Sequence, residues 1–542
     1  MMWGWVVISS SSLLLPFWER RGRPSHYAPL TTDPAAGPRK GFILAGCSDS
    51  RFTSNIATPI SSRGVAVAFS SAAEAPPHER KRLVHVNDAS DDALGPSLKS
   101  RLRAGKSLRM KVPRAAHAAW TATAGRPDPI ELLKHADRGR VRELLPIRYA
   151  RMQQSSFAFF RGSAALMAAD LAHTPATGIR VQACGDCHAA NFGGFASPER
   201  RLLFDVNDFD ETLRAPWEWD LKRLAASVVL ASRELGLSGR RGSDAAGALV
   251  ASYREHMHRY ARMRALEVWY SHLSAEVFVS KAKTAASRQR REDLEKKARN
   301  QTAEHIFPHF ASANDGRVQI VDHSPLVYHA RRGDLIRKRV TESFHRYRQS
   351  MPDERRIILD RYRIVDVAWK VVGVGSVGTH CAVMLLMAGA HDPLLLQFKE
   401  ALPSVLEPYA GKSPYKNHGE RVVTGQRMLQ SASDVFLGWT SDDQGRYYYF
   451  RQLRDMKMKI DLEAMTKADW LEYVDVCGWT LARAHARTGD AALIAGYIGK
   501  ADAFDRAIMR FATGYADQTE RDHAALVKAI RAGRLTASAR VV

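Results

Sequence analysis

Residues 184–195, CGDCHAANFGGF, admit two incompatible chemistries. Starting at Cys184 they fit C-x-x-C-H, the attachment motif of a c-type haem. Starting at Gly185 they place Asp186, His188 and Asn191 in the order Gly-Asp-x-His-x-x-Asn. That order suits phosphoryl transfer, which asks a protein for a carboxylate to orient and deprotonate an acceptor hydroxyl, and for hard oxygen ligands to Mg²⁺. Asp186 is then the base, Asn191 presents an amide oxygen to the metal, and His188 braces the loop. A second acidic site must follow on a neighbouring strand. FDVNDFDET supplies it: Asp208 ends an apolar run and is expected to bridge Mg²⁺ and the phosphates, with Asp210 assisting. Asp220, in WEWDLKRLAAS, stands ahead of an amphipathic helix and is expected to cap it or to fix the loop. Any one of these acids alone reads as a turn former or an N-cap. The ordered set is what points to chemistry.

A nucleotide also needs a cradle. Gly373, Gly375 and Gly378, in GVGSVG, lie between two apolar runs, and glycines leave backbone N–H groups open to phosphate oxygens. Lys399 follows near the end of the third run, LLLQFKEA, placed to reach the phosphates. Its acidic partner is expected from the next helix, at Glu420 or else Glu407. In kinases this Gly-rich hairpin and lysine precede the catalytic loop, whereas here they follow it. TLARAHART (480–488), which suits a helix leading into that loop, stands near the C-terminus. A circular permutation reconciles these facts, since domain termini often lie close together. A less drastic alternative makes Asp490 the base, but that position lacks a following Asn and a second acidic strand.

Haem is not expected, because attachment requires export and the start of the chain has no positive segment before its apolar stretch. Zinc through Cys184, Cys187 and His188 lacks a second ligand cluster at a usual spacing. The two cysteines read as buried small residues, with a redox-sensitive C-x-x-C as the alternative. The chain has five cysteines, an odd number, which argues against a disulfide framework and for a reducing, cytoplasmic compartment. No run of 18 apolar residues occurs, so no stable membrane span is expected. The net charge of +23 attracts polyanions without choosing among them. Its basic residues are scattered, and in the densest run, SRQRREDLEKKAR, they interleave with acids, so a nucleic-acid partner is not expected.

Residues 1–77, rich in Ser, Pro, Gly and Ala, read as a disordered leader, or as a start codon placed too far upstream. Apolar spacing predicts helices over 129–153 and 157–174, then strands at IRVQAC and RLLFDVNDFD, then helix to about 310. From about 360 the texture predicts strand, Gly-rich turn, strand, hairpin, strand. A helix at GERVVTGQRMLQSAS, strands at DVFLGW and RYYYFRQL, and a helix at WLEYVDVCGWTLARAHART follow.

From about residue 80 onward the chain resembles the bacterial family called domain of unknown function 2252. The stretches that carry this are LLPIRYARMQQSSFAFFRGSA, GDCHAANFGGFASPERRLLFDVNDFDETLRAPWEWDLKRLAAS, VVGVGSVGTHCAVMLL, GERVVTGQRMLQSASDVFLGW and CGWTLARAHARTGD. The same residues resemble the protein-kinase-like superfamily, notably aminoglycoside and choline phosphotransferases. The resemblance implies an α+β, two-lobed, circularly permuted kinase-like fold, with a helical catalytic part over 78–360 and a nucleotide cradle with C-terminal helices over 361–542. It implies Mg²⁺ and ATP, and an unidentified small-molecule or protein acceptor. Arg161, in SSFAFFRGSA, has no evident kinase counterpart. It is read either as a solvated arginine on a core helix or as a phosphate or substrate contact. A nucleotide-binding pseudoenzyme or binding module fits the same residues.

Overall fold

Three apolar runs punctuated by turn residues between 363 and 400 form the centre of the larger sheet. The structure is a computed structural model that describes residues 95–538 apart from 124, 315–316, 330–333 and 454. The chain divides into two units, Met1–Ser90 and Asp91–Val542. The first, with the expected leader, lies outside the described residues, and all the described helices and strands belong to the second.

The first half builds helices α1 (Leu145–Gln153) and α2 (Ser156–Gly162), then β1 (Arg180–Ala183), β2 (Phe192–Ala196), β3 (Leu202–Val206) and β4 (Leu213–Pro216). The strand β1 pairs with β4. Helices α3 (Trp217–Glu234) and α4 (Gly239–Tyr260), strand β5 (Leu273–Ser274) and the hairpin β6 (Ala311–Asn314)–β7 (Arg317–Ile320) come next.

The larger sheet takes β8 (Val327–Tyr328), β9 (Arg363–Lys370), β10 (Cys381–Gly389), β11 (Asp392–Glu400), β12 (Gly438–Ser441) and β13 (Tyr447–Gln452). It is antiparallel throughout, in the order β12-β13-β11-β10-β9-β8. Helix α5 (His418–Leu429) connects β11 to β12. Central strands covered on both faces read as continuous apolar runs rather than alternating ones. Here Met384, Leu386, Leu396 and Phe398 pack one face against Phe344 and Tyr347 of a helix over Asp334–Ser350. Val383, Leu385 and Leu395 pack the other against Phe310 and Ile320. Short β14 (Met458–Lys459) extends a second sheet, of order β14-β2-β3-β5.

The C-terminal helices α6 (Lys467–Thr488), α7 (Ala491–Ile498) and α8 (Ala503–Arg531) do not stay with this sheet. They join α3 and α4 in one apolar core, in which Trp217, Leu224, Tyr253, Tyr473, Leu481 and Phe511 are buried. The end of α6 meets the start of β1: the Gln182 amide donates to Thr488 Oγ1 at 3.2 Å. Residues 306 apart in sequence are therefore continuous in space. Mixed α/β architecture with several antiparallel sheets is what the sequence pattern implies. Among the described residues no helix is long and apolar enough to cross a membrane.

Candidate functional site

The loop after β1 is held from below. Asp220, in the first turn of α3, accepts the amides of Cys184 at 2.7 Å and Gly185 at 3.0 Å, and lies 3.3 Å from His485 Nε2 of α6. Its role is therefore to fix the loop. Cys184, Cys187 and Asp220 converge closely enough to ligate an ion. However, Asp220 is already satisfied by two backbone donors, and burial raises both thiols, so they stay protonated.

With the loop fixed, Asp186 faces a cleft. Its Oδ1 accepts Arg223 Nε at 2.7 Å, and its side chain is 19% exposed. Burial raises its pKa, against the opposing pull of Arg223 and Arg161. Asn191 Nδ2 donates to the Asp186 carbonyl at 2.6 Å, which turns the amide oxygen the other way. His188 is buried, with Nε2 4.0 Å from Asp186 and Nδ1 without a partner. Burial, then Arg161 and Arg223, keep its ring neutral.

Asp208 and Asp210 follow β3. Burial, with Asp210 beside it, raises Asp208, whose carboxylate accepts the Asp210 amide at 3.4 Å. Asp210 behaves oppositely. It receives Lys399 Nζ, Tyr449 Oη at 2.8 Å and Ser376 Oγ at 3.0 Å. Burial pushes Asp210 up, but the Lys399 ammonium and these donors outweigh it and bring it to about 2. The carboxylate that meets Lys399 is thus Asp210, which follows β3 in the first half of the chain. Glu420 of α5 is not that partner. It sits in the first turn of α5, outside the residues that line the cleft. Glu407 also lies outside that lining and faces His418. What α5 sends toward the acids is Arg421, which donates to the carbonyls of Asp210, Thr212 and Leu402 at 2.7–2.8 Å.

The glycine turn joins β9 to β10 and closes the cleft. Gly373 has φ 61°, a conformation that side chains resist. Gly375 lies so near α2 and the loop after β1 that a Cβ there would sit 3.3 Å from the Arg161 carbonyl and 3.8 Å from Asp186 Oδ2. Every carbonyl from 373 to 378 is engaged. Arg151 takes that of Gly373, Arg148 those of Val374 (2.7 Å) and Gly375 (2.9 Å), and Arg140 that of Val377 (2.7 Å). The Thr379 hydroxyl takes Ser376 and the Val141 amide takes Gly378. Among the described residues the amides of Gly373, Val374, Gly375, Ser376 and Gly378 find no acceptor. In a trans peptide C=O and N–H point opposite ways, so carbonyls drawn toward arginines turn the amides away from them. Such a row of free N–H groups is an anion receptor.

Two adjoining cavities result. One is lined by Asp186, His188, Asn191, Arg161 and Gly375 among others, and the second by Lys399, Gln397, Arg451 and Lys457. They share Asp208, Gly373 and Ser376. Of the residues singled out in the sequence, Asp186, His188, Asn191, Arg161, Asp208, Asp210, Gly373, Gly375 and Lys399 thus line one cavity or the other, whereas Gly378, Asp220, Glu407 and Glu420 line neither. Asp490 is absent from both linings and caps α7 while pairing with Arg101 at 3.2 Å. Sequence reasoning did not find Arg140, Arg148, Arg151, Arg223 or Tyr449.

Glu211 also lines the first cavity, and burial raises it to about 7 despite Arg421. Its reference value is 4.5, so the native state binds the extra proton between these values and loses stability as pH rises through that window. Glu211→Gln should therefore melt above the wild type at pH 8, by about 1–2 kcal/mol after allowance for partial exposure. The gap should close toward pH 4.5. A gap independent of pH in thermal melts would contradict the assigned environment.

The fold and site define a mixed α/β protein with a cleft in which acids face a basic, amide-lined turn. The family described as "Uncharacterized protein conserved in bacteria (DUF2252)" matches residues 140–529, and the chain belongs to it. No curated protein and no solved structure matches the chain.

Proposed function

We propose that the cleft binds Mg·ATP and transfers its γ-phosphoryl group to a hydroxyl acceptor, and that the fold is a circularly permuted, kinase-like one. The observation that carries this is the glycine turn, whose carbonyls are all engaged and whose amides are open above an acidic cluster. Support for the fold comes from the succession strand, Gly-rich turn, strand, lysine-bearing strand, helix, and from α6 running into β1. The residues fit a hard divalent cation: among the described residues the Asn191 amide oxygen and the Asp208 carboxylate have no strong partner, and oxygen ligands are what Mg²⁺ takes. When bound, the ion supplies charge neutralisation at the phosphates.

The protein's own part is positioning. The turn amides and Lys399 hold the phosphates in the second cavity. Asp186 accepts the proton of the acceptor hydroxyl as its oxygen bonds to the γ-phosphorus and the bond to the bridging oxygen of ADP breaks. Raised by burial, Asp186 is a better base than an exposed carboxylate. Arg223 keeps it oriented.

The test is a thermal shift with ATP, with and without Mg²⁺, beside ADP release. Metal-dependent stabilisation with ADP release is expected, and Lys399→Met should lower ATP affinity about 10-fold or more, as loss of a charge-assisted contact does. Stabilisation without turnover would favour a nucleotide-binding pseudoenzyme, and no stabilisation would sink the proposal.

A further inference from the structure

Four arginines crowd the cleft beside Asp186 and the glycine turn, and three have partners in the protein. Arg140, Arg148 and Arg151 give their donors to turn carbonyls, and Arg140 and Arg148 also meet Asp137 at 3.2 and 3.0 Å. Arg161 is the exception. Among the described residues it makes no hydrogen bond and no ion pair, although its Nε is buried and it lines the first cavity. A guanidinium that faces a cleft with no protein partner, its Nε out of reach of solvent, marks the place of an anion.

Which anion follows from where Arg161 stands. It stands in the last turn of α2, not on the turn that would hold the donor phosphates, and it lines the first cavity with Asp186 but not the second with Lys399. The acids around it are otherwise engaged: Asp186 Oδ1 takes Arg223, and Glu234 Oε1 takes the Phe157 amide at 3.2 Å.

Resting on the phosphotransferase reading, we infer that the acceptor is itself an anion, an alcohol bearing a carboxylate or phosphate group, held by Arg161 so that its hydroxyl meets Asp186. A neutral sugar or an amino alcohol would leave the guanidinium unanswered, and a cationic acceptor would be repelled.

Inorganic phosphate is the probe, titrated by calorimetry into the full chain with Mg²⁺ and a non-hydrolysable ATP analogue present to fill the donor cavity. Saturable binding at millimolar phosphate is expected. Arg161→Met should weaken it about 10-fold or more, as removal of a charge-assisted contact does, and Arg161→Lys should weaken it less. No binding by the wild-type chain overturns the inference without any variant. Equal binding by a folded Arg161→Met also overturns it, since phosphate would then bind elsewhere. If the analogue does not bind but Arg161-dependent phosphate binding persists, the donor assignment fails and the anion site stands.

Discussion

Asp186→Asn is expected to lower Mg·ATP-dependent ADP release by about 10²–10⁴-fold, the range that a positioned general base contributes. The change is nearly isosteric. An amide oxygen can still accept Arg223 Nε, and the loop remains held by Asp220 through the amides of Cys184 and Gly185. Stabilisation by Mg·ATP should therefore survive, because the turn amides and Lys399 do not involve the Asp186 carboxylate. Loss of both turnover and stabilisation would mean the substitution damages the cleft. Full activity with intact binding would mean that another group takes the proton. Asp490 is poorly placed to do so, since its Oδ1 already caps α7.

The largest stability effect is expected at Arg483→Met. Arg483 Nη2 of α6 donates to Asp205 Oδ1 and Oδ2 at 2.7 and 2.8 Å and to the Leu429 carbonyl at 2.6 Å, and both charged residues are fully buried. This contact fastens α6, α5 and β3 together. Removing the guanidinium leaves a buried carboxylate with only the Val206 amide at 2.9 Å and Ser431, whose amide and hydroxyl reach it at 3.0 and 3.1 Å. Breaking such a pair from one side costs about 3–5 kcal/mol. The denaturation midpoint should fall accordingly, and Asp205→Asn in the same chain should recover part of the loss, because it removes the orphaned charge. A single variant within about 1 kcal/mol of wild type would show that the pair does not anchor these elements.

Legibility in the sequence followed the distance over which each cause acts. The gathering of Asp186, His188 and Asn191 at one cleft was readable because they stand in one short segment. The strands β9, β10 and β11 were readable because burial on both faces leaves unbroken apolar runs. DVFLGW reads as a strand but only its end is one: Asp434 Oδ1 accepts the Phe436 amide at 2.7 Å and turns the chain before Gly438. The strand β2 was not readable, since FGGFA holds two glycines. They are there because β14 passes so close that a Cβ at Gly193 would lie 2.5 Å from the Met458 carbonyl oxygen. The helix over 334–350 was missed within a strongly polar segment, though Val340, Phe344 and Tyr347 stand at helical spacing. The partner of Lys399 was sought on the next helix by analogy with kinases; the acid that reaches it stands nearly two hundred residues earlier. The arginines behind the glycine turn look like any others among 80 basic residues. Only the fold reveals that they answer backbone carbonyls more than two hundred residues away.

Those arginines bear on how the cleft meets a guest. A glycine-rich turn on its own samples many shapes and would lose that freedom on binding. Here the peptide dipoles are lined up beforehand by arginine side chains bonded to the turn carbonyls. Association then requires no ordering of the lip, and affinity is not diminished by that entropic loss. The same fastening keeps the lip from lifting, so guests enter and leave past its edges rather than under a moving flap.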